Sequence, residues 1–495
     1  MRVPAWLIVA LLLAQLGVAQ DLGDASAKKA DPTPAEKLLS APAKVAFVDV
    51  GVYVGDGSKL DKVTVLVEDG KILRIGKDLE VPGSFERIQG GVLTPGLVIA
   101  SSTVSLARTQ PKPRTIILRG RRRMRMPRST RRTVRPRFTP TVKATAKIQR
   151  AHRGWADALE GGVTTHGLRP PEAGLSGLGA AVRPVAATKA DMVLADEQFL
   201  WLGMVANTAT KKMLRDSFKK AKELIEARKK KPSKAAPKAG SATKKPAGKA
   251  KPSGKAKPTS SAKPTDKPAP SGKPKKPATK PSAKPGQTKK PATKKPSAKK
   301  PAAKKEDPKI ALLTKVIDKG FPIMAGVSGA GAVLHVLDAL KDTSFPLTFW
   351  HAYRSGAQDT LDRVIPQLKA RKARVVLPVR FGYRPNTSFY CNPILTLRKA
   401  GIDVVLQPGI SKTDLQSLWY RLANLARSGI AKAKLIELLT LAPAKLIGAD
   451  KRVGSIAKGK DANLLHFSRD PFSPAARLIH VWFEGRKVKS VKTRN

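Results

Sequence analysis

TPGLVIASST, residues 94–103, is the stretch from which the fold is read. Gly90 and Gly91 precede it and break the strand-like run before it. Its apolar centre, Leu97–Ala100, has the length and composition of a strand buried on both faces. A doubly buried strand opens a layered α/β arrangement, so the chain on either side is expected to supply other strands and the helices that cover them.

Working outward toward the N-terminus, VTVLVEDGKILRIG (63–76) reads as two strands around Asp69-Gly70. A two-residue hairpin turn needs positive φ at both central positions, which Asp and Gly tolerate. Toward the C-terminus, short apolar runs alternate with helical spacing. FPIMAGVSG (321–329) precedes a helix to Leu340, FPLTFWHAYRSG (345–356) a helix to Arg371, ARVVLPVRFG (373–382) follows, and IDVVLQPGI (402–410) precedes a helix over Asp414–Leu425. A further helix is expected near Ala144–Leu159 and another over Lys211–Lys231. Strands alternating with helices predict a parallel sheet, and so many in one domain predict its closure into a (β/α)8-type barrel with function at the strand C-termini.

The formal charge of +59 over 495 residues is concentrated. Residues 108–150 carry 16 Lys and Arg and no acid, and residues 229–305 carry 26 Lys against Asp266 alone. The remainder is only modestly basic. Fifteen of the 40 prolines fall in 232–305, where no apolar period exists. Proline and mutual lysine repulsion predict an extended, disordered insert there, and RGRRRMRMPRSTRRTVRPRFTP predicts a second, over 108–143. Such arms suit polyanions: an envelope polymer, anionic lipid headgroups or phosphate backbones. Phe138 is their one aromatic residue, and so few rings to stack on bases predict no specific nucleic-acid recognition.

Arg2, an apolar run from Trp6 to Leu16 and the small residues up to Ala19-Gln20 have the order of a secretory signal over 1–20, so the protein is expected to be exported, to the periplasm or beyond. The run is shorter than the ~20 residues of a resident transmembrane helix. Residues 21–43 read as a flexible leader. Cys391 is the sole cysteine, which excludes an intramolecular disulfide.

Three stretches together resemble the amidohydrolase superfamily, in its imidazolonepropionase-like or amidohydrolase-related branch. The first is the hairpin followed by TPG. The second is GGVTTHGLRPPEAGLSGLGAAVRP (161–184). The third is LIELLTLAPAKLIGADKRVGSIAKGKDANLLHFSRDPFSPAARLIHVWFEGRKV (435–488), with Thr440, Pro443-Ala444, Gly448, the Gly454-Ser455-Ile456 triplet and Gly459-Lys460-Asp461-Ala462 in the family's frame. The resemblance implies a TIM-like metal-dependent-hydrolase barrel over 94–449, and a small composite β-sandwich from 44–93 and 450–490 in which 462–467 and 478–488 pair with 45–76. Within 161–184 it implies a strand at Gly162–Thr165 and a Gly-rich loop after it.

The family hydrolyses non-peptide carbon–nitrogen bonds with a divalent metal, commonly zinc, which activates water and polarises the carbonyl. The resemblance carries its ligand positions onto Ser101 and Thr103 (first strand), Gly326 (fifth), His351 (sixth) and the neighbourhood of Trp201, with the general base near Gly409. Only His351 retains a ligating side chain. No confident catalytic residue emerges, the other positions read as degenerate, and no cofactor is expected unless zinc is held in some other way. The six histidines include no pair spaced to chelate locally, and no nucleophile elbow or phosphate loop offers other chemistry. Two functions follow: an exported amidohydrolase-like protein that has become a silent pseudoenzyme, or a binding or scaffold protein whose basic arms hold a polyanion or a partner amidohydrolase.

Overall fold

The computed structural model describes residues 31–107, 136–204, 207–230, 306–351 and 360–489, with two short strands at 115–117 and 123–125. The expected signal segment, residues 21–30 of the leader, the 232–305 insert and most of the 108–143 insert lie outside these residues. The rest of the leader is not a flexible tail as expected: Ala35, Leu38 and Leu39 are buried in the core, Leu39 bridges Val488, and Glu36 pairs with Arg150.

The N-terminal strands are β1 (Val45–Tyr53), β2 (Lys59–Glu68), β3 (Lys71–Gly76), β4 (Glu86–Gln89) and β5 (Val92–Pro95). Asp69 and Gly70 turn β2 into β3 with φ of 48° and 76°, the conformation expected of that dipeptide. The barrel strand β6 is Leu97–Ser102, every residue of it buried. After it come β7 (Thr115–Ile117) and β8 (Arg123–Arg125), which pair antiparallel inside the stretch expected to lack structure, and β9 (Arg137–Phe138). Residues 136–143 are also ordered against the barrel, so the basic insert ends earlier than expected.

The barrel continues through β10 (Val163–Leu168), β11 (Gly174–Val182), β12 (Val193–Gly203), β13 (Ile323–Val327), β14 (Leu347–His351) and β15 (Arg374–Pro378). A hairpin, β16 (Gly382–Tyr383) and β17 (Tyr390–Cys391), precedes β18 (Val404–Gln407), and β19 (Leu464–Phe467), β20 (Leu478–Phe483) and β21 (Arg486–Lys487) end the chain.

In the larger sheet the order is β18-β15-β14-β13-β12-β11-β10-β6, with β9 beside β11. Seven of the eight strands on this path are parallel, and β11 runs against both neighbours. The sheet is a nearly closed TIM-like barrel. The Gly-rich stretch expected as a loop is therefore a strand. Its glycines explain the misreading: a Cβ on Gly177 would lie 2.0 Å from the carbonyl oxygen of Val142, and one on Gly174 2.3 Å from that of Arg137. Glycine is needed because the 137–142 backbone lies directly on this strand, not because the strand is a loop.

Helices Gly154–Glu160, Ala330–Ala339, Pro393–Lys399 and Leu418–Arg427 bury Trp155, Val333, Leu397 and Leu422 against the outer faces of the strands. No helix among the described residues is long and apolar enough to cross a membrane.

The second sheet, ordered β21-β20-β19-β5-β1-β2-β3 with β4 beside β1, draws on both ends of the chain. Phe47, Val65, Leu464 and Trp482 share one buried cluster. The C-terminal strands reach β1 through β5, where Leu464 faces Pro95 and Phe467 faces Val92, rather than pairing with 45–76 as expected. Their direct link to the Asp69-Gly70 hairpin is local: Ala462 N–H donates to Gly70 O at 2.8 Å, and the buried Asp461 carboxylate meets Lys71 and Arg452.

Helices Thr208–Lys230 and Pro308–Asp318 flank the 231–305 segment. Arg228 on the first pairs with Glu306, just before the second, and donates to Thr314 Oγ1 at 3.4 Å. Both boundaries of that segment are thus anchored on the barrel. Replacing residues 231–305 by a short Gly-Ser linker is expected to leave the thermal midpoint within a degree or two; a fall of ten degrees would show that the segment contributes to the core.

Candidate functional site

The inner face of the barrel follows from strand alternation. Val98 and Ala100 of β6, Phe199 and Trp201 of β12, Met324 of β13, Val376 of β15 and Val405 of β18 form one cluster, with Trp350 packed against it. The intervening residues Leu97, Ile99, Ala325, Phe349 and Leu406 pack outward with the helices. At the C-terminal ends of the strands, where barrel enzymes place their chemistry, the inward positions are Trp201, Gly326, Trp350 and Gln407.

Gln407 occupies the seam between the first and last strands. Its side-chain carbonyl accepts from the backbone N–H of Ser101 at 2.9 Å and from Trp350 Nε1 at 3.1 Å, and its NH2 donates to Ser101 O at 2.9 Å. One amide thus serves the N–H and C=O of β6 that a ninth strand residue would otherwise pair.

Beside it lies a cation. Arg169, the residue after β10, holds its guanidinium 4.2 Å from the ring centre of Trp201 and 5.1 Å from that of Trp350, and the two indoles meet edge-to-face at 5.9 Å. Electrostatic attraction to the ring faces and loss of surrounding water both hold such a cation in place.

The positions assigned from sequence are distributed as follows. Gly326 faces inward, but a Cβ there would stand 2.8 Å from the Trp201 ring, so the indole fills the room of a side chain. Trp201 itself lines the same face. In register with Gly326 is Trp350, not His351, which pairs with Val327. His351 is thus one residue out of phase with the inner face, because a side-chain period of two sends neighbours to opposite sides. It nevertheless lines a cavity of about 220 Å³ with Trp350, Arg380, Gln407, Gly409 and Asp414. Ser101 is buried, its backbone engaged by Gln407, at a register irregularity between Ile99 and Ser102 of β6. Thr103 lies just beyond β6. A Cβ on Gly409 would lie 2.3 Å from Asp414 Oδ2, making Asp414 the nearest carboxylate to that position. It is occupied in the first turn of the helix that Ser411 caps, accepting from Ser411 Oγ at 2.7 Å and from Arg421 at 3.3 Å.

These residues do not fit a divalent metal. Among the described residues no three His, Cys, Asp or Glu side chains converge. At the strand ends an indole fills the space of a ligand and a permanent cation faces the same volume, which disfavours a second one. Sequence reasoning missed Arg169, Trp350 and Gln407. The available signal was the side-chain type: an amide and two indoles on buried strands are polar handles that require partners.

A larger cavity of about 880 Å³ lies on the outer flank, floored by Trp419, Phe467 and Phe472 and rimmed by Glu160 and Arg427. Burial, and next the nearby Asp157, push the Glu160 carboxyl up. It contains no nucleophile–base pair, so size alone does not make it the reactive centre.

Three histidines, His166, His351 and His466, are buried, and burial pushes each of them down. Burial alone pushes His166, which packs edge-on against Trp155, down to about 3; burial and then Arg380 push His351 down to about 4. An unfolded chain takes up these protons near pH 6.5, so the folded state is fully favoured above that value and loses stability as pH falls from 6.5 toward 4. The thermal midpoint is expected to drop across that window, and His166→Phe to lessen the drop; a pH-independent midpoint would contradict the burial. Gln407→Ala is expected to destabilise by about 3 kcal/mol, since the Ser101 backbone and Trp350 Nε1 lose buried partners, as measured by chemical denaturation.

Comparisons with known proteins place this geometry. The model of the Amidohydrolase family matches residues 400–491. The structure resembles that of an amidohydrolase from Thermotoga maritima MSB8, with 19% identity, a TM-score of 0.58, and 90% of this chain and 99% of that one covered. It also matches a beta-aspartyl dipeptidase from Fervidobacterium islandicum AW-1 (13% identity, TM-score 0.43, coverage 91% and 97%). A third match is an adenosine deaminase from Xanthomonas campestris with bound zinc (13%, 0.39, 90% and 93%). Of these three only the first superposes closely enough to speak for the fold. The curated proteins contain no match to the sequence.

Proposed function

We propose that this chain, an amidohydrolase-superfamily member by its fold and its C-terminal segment, is a catalytically silent barrel that serves as an exported binding protein. One observation carries the reading: the Trp201–Arg169–Trp350 stack and the Gln407 amide occupy the strand ends where the family's metal chemistry would require ligands and open space. Hydrolysis of a carbon–nitrogen bond in this superfamily needs an activated water and a general base. The nearest carboxylate, Asp414, is committed to Ser411 and Arg421. A fixed guanidinium offers neither an exchangeable coordination position nor a bound water of lowered pKa.

The charge distribution supports the binding half of the reading. Most of the +59 belongs to two short stretches rather than to the folded barrel, so the chain carries a polyanion-seeking element beside a scaffold. The partner is an anionic envelope surface or polymer, or an intact amidohydrolase that this chain accompanies. The short apolar run at Trp6–Leu16 and the small residues after it support export.

Metal analysis of the purified chain is expected to find substoichiometric zinc, before and after incubation with zinc and gel filtration. Stoichiometric zinc accompanied by hydrolysis of an amide or cyclic imide substrate would overturn the silent reading. Binding to a model polyanion should weaken steeply between low and physiological salt, as counterion release requires. A salt-independent affinity would remove the basic stretches as its source.

A further inference from the structure

At the rim of the barrel, where β15 gives way to the 220 Å³ cavity, the chain extends the β16–β17 hairpin. Its sequence, RFGYRPNTSFYC (380–391), interleaves arginine with aromatic residues. Tyr383, Phe389 and Tyr390 are 51%, 74% and 62% exposed, which is unusual for rings of this size gathered on a two-stranded ribbon. Other exposed large apolar residues, such as Leu60, Leu334 and Ile479, are scattered singly.

The geometry of the rings indicates what they fit. Tyr383 and Tyr390 are paired across the ribbon and lie on one face, 5.2 Å apart edge-to-face, with Phe381 stacked on Tyr390 at 5.0 Å. The next step of the ladder, where Arg384 N–H donates to Phe389 O at 2.9 Å, sends Phe389 to the opposite face. The rings therefore surround the ribbon as a wedge rather than lying flat as a platform. A platform suits a base or a sugar ring; a wedge suits an interface with water on one side and hydrocarbon on the other, where Tyr and Phe gather.

Charge points the same way. Residues 380–391 carry two arginines, Arg380 and Arg384, and no acid. Exposed Arg384 lies beside Tyr383, and Arg380 lies at the base of the hairpin. Basic residues flanking apolar ones are attracted to the headgroups of an anionic leaflet.

We infer that the 380–391 hairpin is a membrane-surface anchor that inserts Tyr383, Phe389 and Tyr390 into the interfacial layer of an anionic bilayer while Arg384 engages its headgroups. The barrel mouth then faces the lipid surface. This goes beyond the silent-barrel reading and does not depend on it, since an active or an inactive barrel is brought to the membrane equally.

Cys391, the sole cysteine, lies in the hairpin and is half-buried, which supplies a site-specific reporter. Full-length protein labelled there with an environment-sensitive fluorophore is mixed with vesicles of three parts phosphatidylcholine to one part phosphatidylglycerol. The expected result is a blue shift that persists at salt sufficient to strip purely electrostatic binding. In co-sedimentation, the unlabelled Phe389→Ser/Tyr390→Ser double variant should bind the same vesicles at least roughly tenfold more weakly at that salt, and Phe389→Ser alone, at the 74% exposed ring, should weaken binding in the same direction with an unchanged thermal midpoint. Two results would overturn the inference. One is co-sedimentation without a shift at Cys391, which assigns binding to the basic stretches alone. The other is an equal shift with oligothymidylate in place of vesicles, which assigns the rings to base stacking.

Discussion

A side-chain amide joins the barrel's first and last strands. Gln407 on β18 reproduces for Ser101 what a neighbouring peptide would do, giving and receiving at 2.9 Å. Without those bonds the backbone N–H and C=O of the buried Ser101 would lose a partner, a cost of about 1–3 kcal/mol. The third bond, from Trp350, fixes the indole that in turn supports the guanidinium of Arg169. Closure of the sheet and filling of its mouth are therefore one network, not two.

That network places a fixed cation among the indoles at the barrel mouth. A coordinated metal is exchangeable, keeps an open position and polarises what binds there. Arg169 is covalently part of the chain, its charge is permanent, and its guanidinium lies over the rings of Trp201 and Trp350. The same stack leaves Gly326 no room for a larger side chain. A side chain introduced at Gly326 would have to displace the Trp201 ring.

How much of this could be read in the sequence depended on whether the signal was local. The Asp69-Gly70 turn, the alternating passes after Ile323 and the return of the C-terminal segment to the first sheet were legible, because turn chemistry and apolar periodicity act within a dozen residues. The strand β11 was not, since its glycines answer to the 137–142 backbone, a contact that no local pattern records. His351 attracted attention as a ligating residue, but register with Gly326 belongs to Trp350, and a one-residue phase is invisible without the neighbouring strand. Gln407 meets Ser101 across 306 residues, so its role appears only once the sheet curves round. The exposed rings of the β16–β17 hairpin were likewise hidden, because aromatic residues in a short strand read equally well as core.

The ion pair of Arg228 with Glu306 has an evolutionary consequence. The chain departs from the barrel and rejoins it through one doorway, so the two helices on either side do not register how many residues pass between. Loop-closure entropy rises only with the logarithm of length, each doubling costing about 0.6 kcal/mol. This point of the fold can therefore accept long additions, or lose them, by small steps, and the 75 residues between Lys230 and Glu306 occupy a place where length is nearly neutral to the architecture and free to be shaped by whatever the chain has to bind.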